Sequence, residues 1–343
     1  MEIEKEDLNE LCGILNIELI PNETNYWLIR TSSGKFFDDF YNNNYVAIGW
    51  NELSNIDYIK NSKDEDFKEY VKSIFPNEEK PGYIANQIKR FLFEIKKGDI
   101  ILIPSINSEY IAFGKVTSES AYIRNIPKKN TELSYFQCDF LKTIDVSWIK
   151  LVKRDEFDPY LYKLMSAHST ISNVYKYENY INRILYPVYI KNDLIHTTFN
   201  VTTTEDIPVS SLASFLTTTQ NSIDVFNSVT DNNIDKDSVN VKLSVQSPGP
   251  IEFIGYVMGG GLIVAFSCLF LFGAKFDINF FNVFKFKMDT KGLIGSILEY
   301  IKEYHSNNQE IQKYKNNFKL EKDKIKALAP YESKATTNKD KKL

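Results

Sequence analysis

The chain has 343 residues, enough for about two domains, with 43% hydrophobic and 25% charged residues and a formal charge of −4. That charge is uneven: the stretch from Lys275 onward carries +6 and the remainder −10. An acidic front argues against a broad DNA-coating surface, and three widely spaced cysteines (Cys12, Cys138, Cys268) exclude a disulfide framework or a CxxC zinc site.

In chain order, the acidic start Met1–Glu10 lacks a basic n-region and an apolar h-region, so no signal peptide is expected and the front is read as cytoplasmic. Tyr26–Arg30 (YWLIR) and Tyr45–Trp50 (YVAIGW) are aromatic and β-branched runs that predict short strands. Between them, Phe36–Tyr41 spaces its aromatics as a helix does. Asp66–Phe75 predicts a helix that stops at Pro76, and Tyr83–Ile95 a second whose apolar positions share one face. Strands are expected at Ile100–Pro104, at Tyr110–Thr117 and within Phe136–Trp148. Asp158–Asn182 reads as helical, His196–Thr203 as a strand, Pro208–Val225 as a helix, Asn221–Asp237 as a loop, and Val239–Val245 as a strand ended by Ser247-Pro248-Gly249-Pro250. Ile297–Tyr304 and Ile311–Ile325 read as charged helices, and Ser333–Leu343 as a polar, disordered end.

Between Glu252 and Lys275 lie 22 residues without a charge, Phe253–Ala274. As one helix they would span roughly 33 Å, enough for the hydrocarbon core of a bilayer. Tyr256 near the start of the run and Phe276, Phe280, Phe281, Phe284 and Phe286 after it suit the two interfaces. Gly255 and Gly259 form a GxxxG, and Gly260 and Gly261 extend a small-residue face for helix–helix contact, followed by bulky residues such as Phe266 and Phe270. A competing reading makes the run a buried hairpin with Gly259–Gly261 as its turn; a re-entrant segment is a third. The expected class is therefore α+β, organised as a sensing domain (1–155), a helical plus strand connector (156–250), a single-pass transmembrane helix (251–275) in the cell membrane, and a basic helical tail (276–343).

The series YWLIR, NNNYVAIGWNEL, IANQIKRFLFEIKKGDIILIPS and YIAFGKVTSES resembles the EVE branch of the PUA-like fold, in the version found at the front of bacterial antiphage defence proteins. The resemblance covers about the first 150 residues and implies a small mixed β-barrel that holds a nucleobase in an aromatic pocket. The layout of strand, SPG turn, glycine-bearing apolar run and charged helix is similar to channel-forming partners of nucleotidyltransferases in Hailong-type systems.

A base taken out of its stack needs aromatic faces and edge-reading polar groups. Trp27 and Trp50 are candidates for stacking, Gln87 for the base edge, Arg30, Lys89 and Arg90 for phosphate, and Gly49 and Gly114 for close backbone approach. Each has a plain alternative: core aromatics, solvated helix residues and bends. His168, His196 and His305 form no metal motif, and no Walker A or GxSxG sequence is present. Asp139 and Lys142 have a superficial nuclease-like look with a high chance rate. No catalytic residue, metal or cofactor is expected. The leading expectation is a membrane effector gated by a nucleotide, oligonucleotide or modified base, its partners being the lipid bilayer, further copies of itself and a nucleotidyltransferase. Its rival is a reader of modified nucleic acid that serves as specificity subunit for a partner enzyme.

Overall fold

The computed structural model describes residues 5–126, 133–166, 168–243, 248–272 and 293–332. The chain divides into two compact units, residues 23–185 and residues 1–22 with 186–343. The chain starts in the latter with α1 (Lys5–Leu15) and a short strand, β1 (Glu18–Leu19).

The unit 23–185 opens with β2 (Tyr26–Ile29), α2 (Phe37–Asn42) and β3 (Tyr45–Ile48). Every residue of β2 and β3 is buried, which is why these runs are apolar throughout rather than alternating. Three helices follow: α3 (Ile56–Asn61), α4 (Asp64–Ile74) and α5 (Pro81–Lys89). The Asn55 side chain caps α3 by accepting from the Tyr58 amide, and Pro81 starts α5 where a missing N–H costs nothing. A π-helical turn, Arg90–Glu94, closes α5 before β4 (Ile100–Pro104) and β5 (Tyr110–Val116). Then come β6 (Tyr122–Ile123), β7 (Lys142–Lys153), β8 (Ile171–Asn173) and α6 (Glu178–Leu185). The strand order is β3-β7-β5-β4-β2-β8, with β6 beside β7; β2 and β4 run parallel and the other pairs antiparallel. The twelve-residue β7 pairs with β3, β5 and β6, and a bulge against Phe113/Gly114 bends it, so the sheet curls into half a barrel.

The other unit resumes with β9 (Val188–Lys191), β10 (Leu194–Val201), α7 (Val209–Gln220) and α8 (Ser222–Thr230). It ends with β11 (Val239–Leu243), β12 (Gly249–Tyr256), α9 (Gly260–Phe272), α10 (Leu293–His305), α11 (Gln309–Lys324) and β13 (Ala327–Leu328). Its sheet order is β1-β9-β10-β12-β11, with β13 on β10. Alternation along the strands sends Val188, Ile190, Ile195, Phe199, Ile251 and Phe253 into a core shared with α7 to α11. The opposite face carries buried polar groups: His196 Nδ1 lies 2.8 Å from Glu252 Oε1, and the Tyr189 ring stacks on His196 at 4.3 Å.

The apolar run corrects the membrane reading. It is the end of strand β12, a turn, and then α9, and no helix among the described residues is long and apolar enough to cross a membrane. At 13 residues α9 is about 20 Å long, well short of a ~30 Å hydrocarbon core. It is apolar all round because it is buried all round: Leu262–Phe266, Cys268 and Leu269 are each at most 1% exposed. The single-pass membrane helix, the channel and the inner-membrane location are therefore withdrawn. The competing hairpin reading placed the turn well but made Leu262–Phe272 a strand instead of a helix.

The glycines of the run serve packing within the chain. A Cβ on Gly261 would sit 2.5 Å from the Gly255 carbonyl carbon and oxygen, and one on Gly255 2.8 Å from Gly261 Cα. Two bare backbones thus let the start of α9 lie directly on β12. Gly260 meets Ile223 and Val239, and Gly259 lies in the turn. Phe266 stacks on Phe270 at 5.2 Å and meets the Tyr300 ring edge-on at 5.9 Å. The post-run aromatics Phe276–Phe286 and the end Ser333–Leu343 lie outside the described residues.

Smaller differences share one cause, pairing that is remote in sequence. Asp158–Asn182 is not one helix: 3₁₀ turns flank β8, which exists because it pairs with β2. Asn221–Asp237 holds α8, whose Ile223 and Phe226 are fully buried despite the polar composition.

Candidate functional site

The candidate site is built where three loops of the unit 23–185 converge. The first, Arg30–Phe36, follows β2. The second, Gly49–Leu53, follows β3. The third, residues 133–141, precedes β7.

The 30–36 loop turns through left-handed backbone at Ser32, Ser33 and Gly34, and Asn107 and Ser108 opposite are also left-handed. Only glycine fits at position 34, since a Cβ there would lie 2.3 Å from the Ile106 amide nitrogen. Between these segments is a cleft of about 190 Å³ lined by Arg30, Thr31, Ser33, Gly34, Pro104, Ser105, Asn107 and Ser108. It shares Asn107 with an open cleft of about 470 Å³ flanked by Lys153, Arg154 and Tyr162. Arg30 donates from Nη2 to the Met165 carbonyl at 2.6 Å, and burial lowers its basicity. Thr31 Oγ1 donates to the Pro104 carbonyl, tying the loop to the end of β4.

An aromatic wall continues from this loop. Phe36 meets Phe140 edge-on at 5.1 Å, and the Lys35 ammonium lies over both Phe36 and Phe136, at 5.0 and 5.2 Å. Phe136 is 66% exposed, the most exposed aromatic ring among the described residues. Gly49, which opens the second loop, abuts the Phe140 ring, and Trp50 follows it. Trp50 is half-buried and has a φ of +59°, a left-handed conformation that a bulky side chain rarely adopts.

Polar groups hold these loops in place. Lys142, fully buried, donates from Nζ to the carbonyls of Trp50 (2.8 Å) and Leu53 (3.0 Å). Burial, slightly offset by Glu52, pulls its basicity down to about 8. The Asn51 side chain accepts from the Leu141 amide and donates to the Asp139 carbonyl, locking the second loop to the third. Arg124 donates to the carbonyls of Cys138 and Phe140 while its guanidinium covers the Tyr45 ring at 4.2 Å. Buried Asp39 accepts from the Cys138 amide, Asn43 and the Tyr45 hydroxyl. Burial, then the Asp39 hydrogen bond, pushes the Tyr45 hydroxyl far up; burial likewise pushes the Cys138 thiol up to about 12.

Of the residues singled out in the sequence, this site gathers Arg30, Gly49 and Trp50. The others lie away from these loops, in contacts with the rest of the unit 23–185. Trp27 is 2% exposed and donates its indole N–H to Asp99 at 2.8 Å. Gln87 accepts from the Ile171 amide at 2.6 Å and so holds β8. Lys89 reaches Asp64 (2.6 Å) and the Ser62 carbonyl, Arg90 lies 3.4 Å from Glu94, and Gly114 forms the bulge where a Cβ would strike Val146. Asp139 is exposed whereas Lys142 points into the core, so the pair does not form a nuclease-like arrangement. The sequence reading missed Phe36, Phe136, Phe140, Asn51, Arg124 and the part played by Lys142. The dense aromatics at 36–41 and 135–140 were the available signal. Among the described residues no group of three or more His, Cys, Asp or Glu could hold a metal ion.

A family model described as "Domain of unknown function (DUF8426)" matches residues 26–175, less than half of the chain. The match lies within the unit 23–185 and contains every residue of the candidate site. No curated protein matches the chain.

Proposed function

We propose that the unit 23–185 is a non-catalytic binding module for a nucleobase, presented by a nucleotide or by an unstacked base of a nucleic acid, and that the chain reports this ligand to a partner protein. The observation that carries the reading is Trp50: a partly buried indole on a residue in a strained, left-handed conformation, next in sequence to Gly49, which abuts the Phe140 ring that Phe36 also meets. Strain of that kind costs about 1–3 kcal/mol and persists where the surroundings impose it, often at binding sites. Flat aromatic faces favour stacking on a ring, worth about 1–3 kcal/mol per base. The left-handed serines and Arg30 of the adjoining cleft offer N–H and guanidinium donors for a base edge or a phosphate. The resemblance of this region to the front domains of antiphage defence proteins supports a role in sensing nucleic-acid or nucleotide signals during phage attack.

Titration of the full chain with unmodified and base-methylated nucleoside 5′-monophosphates tests the reading. At least one should bind saturably, and Trp50→Ala should weaken that binding at least tenfold while the fold is retained. Equal affinity in a folded Trp50→Ala protein would reject it.

A further inference from the structure

We propose that Lys142 is a positioning residue for the candidate pocket: its buried ammonium clamps the turn that presents Trp50 and makes the presentation of that indole depend on pH. The inference rests on the reading that Trp50 faces a ligand, and its test separates the two.

Lysine is almost never fully buried without a carboxylate partner, yet Lys142 is 0% exposed and its ammonium donates to two backbone carbonyls, those of Trp50 and Leu53. Both acceptors belong to one turn, and one of them is the carbonyl of the residue in the left-handed conformation. The Leu53 amide also donates to the Trp50 carbonyl at 2.9 Å, so this oxygen receives two bonds, one from within the turn and one from β7. A hydrophobic side chain of similar length would fill the same space, take the side-chain donor away from both carbonyls and leave the Trp50 oxygen with the Leu53 amide. What the charge adds is therefore the shape of the turn, and through it the direction of the indole.

The ammonium is also the group here that titrates near neutrality, at about 8. On the elements packed around it, the titratable and charged groups are Glu52 in the turn, Tyr45 on β3, Tyr122 on β6 with Arg124 just beyond it, Tyr135, Cys138 and Asp139 in the third loop, and on β7 itself Asp145 with Lys150 and Lys153 towards its other end. Burial pushes Tyr122 and Cys138 up to about 12 and Tyr45 higher. Loss of the proton leaves an amine whose two bonds to the turn are neutral, about half as strong as charge-assisted ones.

The experiment labels the full chain with 5-fluorotryptophan, which gives three fluorine resonances, from Trp27, Trp50 and Trp148, assigned by Trp→Phe substitution. Between pH 6.5 and 9.5 the Trp50 resonance should shift with a midpoint near pH 8 while Trp27 stays fixed. In Lys142→Met that titration should vanish, and affinity for the best nucleoside monophosphate of the panel should fall at least tenfold at pH 7. A Trp50 resonance that is flat in the wild-type protein overturns the proposal without recourse to any variant, as does an identical titration in folded Lys142→Met. If the resonance titrates as expected but no monophosphate binds, the clamp stands and the ligand reading fails.

Discussion

The neighbourhoods of Phe266 and Trp50 achieve order by opposite means. Around Phe266, order comes from apolar contact: a helix without a charge, two bare glycine backbones in contact, and aromatic rings against Tyr300 and Phe270. Around Trp50, order comes from polar groups spent on loop backbone: Lys142, Asn51, Arg124 and Asp39 each bond main-chain atoms of the second or third loop. A core of the first kind tolerates nothing larger and does nothing further. A wall of the second kind keeps aromatic surface half-exposed in one geometry, which is what a preorganised binding site requires. The contrast teaches that the most conspicuous sequence feature, the charge-free run, is packed core, and that inconspicuous polar residues hold the loops of the proposed site.

The largest stability effects should fall in the apolar region. Phe266→Ala should cost about 3–5 kcal/mol by urea unfolding, from lost burial plus the cavity left behind. Trp27→Ala, although singled out for stacking, should cost a similar ~3–5 kcal/mol, because it too is core and its loss removes one of the donors to the buried Asp99 carboxylate. A value below about 1 kcal/mol for either would break the comparison. Gly261→Ala should cost about 1–3 kcal/mol, since the atoms it would strike are backbone and cannot step aside. By contrast, Trp50→Ala should leave the unfolding midpoint nearly unchanged while abolishing ligand binding.

A pH experiment sharpens the polar side. Lys142 has its basicity lowered in the folded chain from 10.5 to about 8. Between those values the unfolded chain holds the proton and the folded chain does not, so this group makes stability rise with pH across that window. Buried Cys12 and Cys138, raised to about 12, act in the opposite sense above their unfolded value. The quantity to measure is therefore the difference between wild type and Lys142→Met. Wild-type stability should gain on the variant from pH 8 to 10.5, and a constant difference would contradict the assignment of a buried, weakly solvated ammonium.

Part of the half-barrel was legible because three of its strands are apolar and buried at every position. YWLI, YVAI and IILIP are buried on both faces and announce themselves. The amphipathic α4 and α5 were legible for the same reason in helical form. The run Phe253–Ala274 was misread because hydropathy measures the absence of water and does not distinguish lipid from core; the break at the glycine turn was the cue that it is two elements. β8 could not be seen, since three residues of ordinary composition become a strand only through β2. At the site, the loops and Trp50 were legible as aromatic-rich stretches. Lys142 was not, because a lysine in a sequence reads as surface, and burial on two carbonyls is set by residues about 90 positions away.

The most direct test of the central claim is a calorimetric titration of the full chain, wild type and Trp50→Ala, with methylated and unmodified nucleoside 5′-monophosphates. The account predicts saturable binding of at least one monophosphate by the wild type and at least a tenfold loss in a folded Trp50→Ala variant. No binding of any member, or equal binding by both proteins, would contradict it.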